Sequence, residues 1–220
     1  MKDRGLTYVI FTLALIGTLA LIGSIKDINK NMLVTDQAKK PDELLENTRI
    51  YVSEHAYDRS LSQLNQAISA IREIEKDLDI ESNRILEVSI KELEIVKEEL
   101  ENDSLVKEDM NDAFMKALNA LTIAELKVSE ALLETDHPKD AIIALKYGMY
   151  HIKNALKYTS GEKKDAELHI FKEIDSLLNS KQIPESQMIE MLEKMIKELD
   201  FLIEGDTLNM SNTTADSFQG

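Results

Sequence analysis

Six methionine and histidine residues in the second half of the chain are candidate ligands for a soft metal. Met188, Met191 and Met195 recur at steps of three and four, Met149 and His151 share one upstream segment, and His169 lies between. Thioether and imidazole donors together suit Cu(I) or Ag(I). The same methionine spacing is also ordinary filling for a helical core. Met149 and His151 stand two residues apart and therefore point in different directions on a helix.

Other chemistries find less to work with. A di-iron centre in a four-helix bundle uses two Glu-x-x-His pairs and two further glutamates. This chain has one such pair, Glu134 and His137, placed at a helix end before Pro138. The stretch "DLDIESNRILEV", residues 77–88, opens like a calcium loop with Asp77, Asp79 and Glu81. Ser82 then stands where the turn needs glycine, and Val88 where a bidentate glutamate belongs. We read it as a capped turn between helices. There is no cysteine, no Gly-x-Ser-x-Gly turn and no phosphate-cradling glycine loop. With four histidines as the only near-neutral bases, we expect a protein that is not an enzyme and carries no cofactor.

Charge narrows the partners. Of 26 basic and 41 acidic residues, the first 30 positions hold four and two, which leaves 22 against 39 for the rest. A body this acidic repels nucleic acid and anionic headgroups at long range. The absence of cysteine also removes disulfides and thiolate metal sites, so packing alone must supply stability.

The elements that position these residues begin with a greasy one. From Gly5 to Ile25 no residue is charged, and about 20 helical residues span the hydrocarbon core of a bilayer. Thr18-Leu19-Ala20 is the best match to a signal-peptidase site, but it falls inside the apolar run rather than after it. We therefore read residues 6–25 as a retained transmembrane anchor after a short tail, residues 1–5. Lys2 and Arg4 precede the anchor, which favours export of the body of the chain. Lys26, Lys30, Lys39 and Lys40 beyond it favour a cytoplasmic body, the second reading. The expected location is a single-pass membrane protein with its body extracytoplasmic, or periplasmic.

Residues 26–40 read as a polar linker, and residues 41–205 as an acidic helical body. Pro41 suits a first helical turn, followed by Asp42 and Glu43 at the positive end of the dipole. Leu61, Leu64, Ile68, Ile71, Ile74 and Leu78 then keep one apolar face, which predicts a helix over about 42–78 bent near His55. Ser82 is the expected cap of a second helix, and "NDSLVKED" its end. A third helix carries Phe114, Leu118, Leu121 and Leu132. Pro138 opens a fourth that Gly161 should end, a fifth comes next with Ile170, Ile174 and Leu177, and Pro184 opens a sixth. Gly205 is the expected stop before a disordered tail, residues 206–220.

No alternating stretch supports a sheet. The fold class is all-α, an antiparallel bundle of about six helices behind the N-terminal anchor, built as one bundle or as two packed three-helix units. "SIKELEIVKEEL" and "IFKEIDSLLNSK" sit about 80 residues apart and resemble each other, a hint of duplication. The function expected is a non-catalytic interaction or scaffold module that binds a protein partner or itself, and no nucleic acid. The alternative is a periplasmic small-molecule or Cu(I)/Ag(I)-binding protein that uses the Met/His set.

Overall fold

Seven helices and no strands make up the described residues of the computed structural model, which are 35–75, 78–180 and 183–215, with side chains described for 38–74, 78–180 and 183–204. The helices are α1 (Thr35–Ser53), α2 (Tyr57–Glu75), α3 (Ile80–Glu101), α4 (Lys107–Glu134), α5 (Pro138–Ala155), α6 (Gly161–Asn179) and α7 (Glu185–Ala215). The expected anchor, residues 6–25, lies outside the described residues. Among the described residues no helix is long and apolar enough to cross a membrane.

Five boundaries differ from the sequence expectation. The single helix over 42–78 is two helices. His55 adopts φ +58°, and the amide of Ala56 donates to the Tyr51 carbonyl at 2.9 Å. That is the six-to-one closure of a left-handed C-terminal cap. Asp103 (φ +53°) and Asp136 (φ +60°) close α3 and α4 in the same way, with Ser104 donating to Glu99 and His137 to Leu132. Aspartate and histidine tolerate this conformation better than most residues, although glycine is its usual sign. Second, α1 starts at Thr35, so Pro41 lies inside it and the linker is helical before residue 40; Gln37, Ala38, Lys39 and Lys40 are good helix formers.

Third, the cap of α3 is Asp79, not Ser82. Its carboxylate accepts from the amides of Glu81 (2.9 Å) and Ser82 (3.1 Å), as an N-cap aspartate does. Fourth, Gly161, at φ +61°, opens α6 rather than closing α5. In addition, α7 passes through Gly205 and continues to Ala215.

The core centres on α4, which packs against α3, α5 and α7. Its burial runs almost all round, from Met110 through Phe114, Leu118 and Leu121 to Leu133, as expected of a helix enclosed by others. Polar bonds tie α6 to it. Asn119 Nδ2 donates to Glu167 Oε1 at 2.8 Å, and Lys163 Nζ to Asp112 Oδ1 at 2.7 Å.

The helices recur in register. Tyr57 and Pro138 begin helices, as do Ile80 and Gly161; Ser53 and Glu134 end them. Every one of these pairs is 81 residues apart. The left-handed residues His55 and Asp136 obey the same step. Buried positions follow it too: Leu64 and Leu145, Ala67 and Gly148, Ile71 and Ile152, Leu93 and Ile174, Leu118 and Leu199. α2 packs on α3 as α5 packs on α6, and α3 on α4 as α6 on α7. The α4–α5–α6–α7 run thus repeats the α1–α2–α3–α4 run, with α4 belonging to both.

Candidate functional site: the groove between α6 and α7

A groove of about 1230 Å³ runs between α6 and α7. From α7 it is lined by Met191, Lys194, Glu198, Phe201 and Leu202, which share one helical face through steps of three and four. Ala166 and His169 are among the residues α6 contributes. Phe201 is 75 % exposed, an unusual state for a side chain this large and apolar.

The repeat explains why this face is open. The α4 residues one repeat earlier are Met110, Ala113, Ala117, Ala120 and Leu121, all buried. α4 is followed by helices that cover it; among the described residues no helix follows α7. Lys194 and Glu198 put charge where the earlier unit has Ala113 and Ala117, while Phe201 puts a large apolar ring where it has Ala120.

Charged groups gather at one end of the groove. His169 Nε2 lies 3.4 Å from Glu173 Oε1 one turn along α6. Across the groove, Lys194 Nζ lies 3.2 Å from Glu173 Oε1 and 3.5 Å from Glu198 Oε1. The ligand atoms of His169, Glu173 and Glu198 all fall within 4.8 Å of one another. Glu173 Oε2 is buried and has no hydrogen-bond partner.

A second polar cluster lies away from this groove, where α1 meets α5. His151 Nδ1 and Asp42 Oδ2 are 2.7 Å apart, and Asn154 Nδ2 donates to Asp42 Oδ1 at 2.8 Å. Burial pulls the imidazole's pKa down, but the charge and hydrogen bond of Asp42, with Glu125 nearby, outweigh it and the net shift is upward. Burial pushes the Glu125 carboxyl up to about 7, against a smaller pull from His151. One helix end further, Tyr158 donates to Glu46 Oε2 at 3.0 Å, and Arg49 lies over the Tyr158 ring. Asp42 and His151 are enclosed and bonded to each other, so this pair holds α1 rather than receiving a ligand.

The six soft-metal candidates fall into different surroundings. His151 is committed to Asp42. Met188 and Met195 are buried in the core, and Met149 is half-buried on α5. His169 and Met191 both line the groove. Glu173, Glu198 and Lys194 are residues that sequence reasoning did not single out. The spacing of His169 and Glu173, four apart, was the legible signal; the arrival of Glu198 from another helix was not. Glu134 is exposed at the end of α4, and His137 stands at the start of α5.

The fold defines an all-α protein of repeated helical hairpins. Comparison with protein-family models, with curated proteins and with solved structures gives no match.

Proposed function

We propose that this chain is a membrane-anchored, non-catalytic helical scaffold whose extracytoplasmic body docks an amphipathic helix of a partner protein in the α6–α7 groove. One observation carries the reading. The α7 face that is open is the counterpart of an α4 face that the chain covers with its own helices, and it keeps an apolar strip of Met191, Phe201 and Leu202. A surface built to the pattern of helix-on-helix packing accepts a helix most readily. Lysines and glutamates flank the strip, so the incoming helix carries charges of both signs beside its apolar face. The anchor rests on the uncharged run from Gly5 to Ile25, and the acidic body argues against nucleic acid or anionic lipid as the docked species.

The test places a photo-crosslinking amino acid at position 201 in the native host, with position 95 on α3, also exposed, as the control. Expected is one discrete adduct from position 201 that maps to a helical segment of a membrane or envelope protein and is lost on Met191→Glu. Equal adducts from both positions, or none from 201, would overturn the docking site. Intact mass and protease protection in the same cells decide anchor and orientation separately.

A further inference from the structure

We infer that His169, Glu173 and Glu198 form a binding site for a first-row divalent cation of the Zn(II) or Co(II) class, with the Lys194 ammonium holding the place when no metal is bound. The donor set is one imidazole nitrogen and two carboxylates. Such ligands suit borderline divalent ions rather than Cu(I) or Ag(I), and water completes the shell in an open site.

Geometry supports the assignment. Bonds of about 2.0 Å to a tetrahedral ion place ligand atoms about 3.3 Å apart. His169 Nε2 and Glu173 Oε1 are already 3.4 Å apart, and Glu198 is within 4.8 Å of both. Glu198 closes the remainder by turning its side chain. Lys194, 55 % exposed, is free to swing out to water as it does so.

Two independent observations point to a cation. An ammonium already sits between the two carboxylates, 3.2 Å and 3.5 Å from their oxygens. Glu173 Oε2, buried and without a partner, gains one when a metal takes the carboxylate from both sides. An orphaned buried acceptor otherwise costs about 1–3 kcal/mol.

The repeat separates this cluster from packing. One repeat earlier the three positions are Val88, Glu92 and Ala117. The glutamate recurs, but the imidazole and the second carboxylate appear only in the later unit. Valine and alanine satisfy the same helical positions in the earlier unit, so packing does not require His169 or Glu198.

The experiment uses that contrast. Tag-free full-length chain in detergent is titrated with Co(II), read by its visible absorption, and Zn(II) is then added in competition. Expected is one saturable site displaced by one equivalent of Zn(II). His169→Val and Glu198→Ala each weaken binding at least tenfold, with the metal-free helical content and melting temperature held. Lys194→Met strengthens binding several-fold by removing the resident ammonium. Absence of a saturable site in the parent chain overturns the assignment, as does unchanged binding in the two variants. Because purified chain is used alone, either failure leaves the docking reading untouched.

Discussion

His151 and Asp42, 109 residues apart in sequence, face each other at 2.7 Å with both side chains 1 % exposed. A charged pair this enclosed is costly to break, because removing one member leaves the other buried and unpaired. The pair, with Asn154, is what clamps α1 onto α5.

Asp42→Ala should therefore destabilise the body by about 2–4 kcal/mol. The effect depends on pH in a definite direction. The folded pKa of His151 is raised above 6.5, so its contribution is complete below about 6.5 and fades as pH climbs through the folded value. Thermal melts at pH 6 and pH 9 should show a larger penalty for Asp42→Ala at pH 6. A penalty that is equal at both pH values would mean that His151 is not charged in the fold.

Glu125 offers a substitution with the opposite effect on stability. Its folded pKa of about 7 stands above the ordinary 4.5, so stability linked to its proton is present below 4.5 and is lost as pH rises through 7. Glu125→Gln keeps the neutral shape and should raise stability at pH 8 by about 1–3 kcal/mol, with little change at pH 4.5. Urea unfolding at the two pH values measures this directly. Loss of stability at pH 8 would show that the ionised carboxylate is held by partners after all.

Gly148 is the third case. A methyl group there would meet Glu125 Cβ and Leu126 Cδ2 at 3.6 Å, ordinary contact distances, and its counterpart one repeat earlier is the buried Ala67. Gly148→Ala should stabilise the protein by about 0.5–1 kcal/mol, because alanine gives up less backbone freedom in a helix. The corresponding rise in melting temperature is about 1–4 °C for a chain of this size. Gly148→Leu, too large for the α4–α5 contact, should lower stability.

Much of the fold was legible because its signals are local. The apolar steps through Leu64, Ile68 and Ile71 fix a helix and its buried face, and Pro138 marks a first turn. The bend expected near His55 is a full break between two helices, because a left-handed cap is usually announced by glycine and a histidine in that role signals it only weakly. Asp79 was passed over in favour of Ser82 because both residues can cap, and only backbone geometry tells which one does. The candidate site was legible by halves: His169 and Glu173 share a turn of one helix, while Glu198 belongs to another.

The chain by itself determined helicity, the placing of most turns, the acid excess and the apolar stripe of each helix, all set by residues within a few positions of one another. Tertiary structure alone decided which stripe is covered and which is left open, that Asp42 meets His151, and that Glu198 meets Glu173. Those outcomes depend on how one helix is rotated and shifted against another, a choice made by the summed packing of the whole core rather than by any short stretch of sequence.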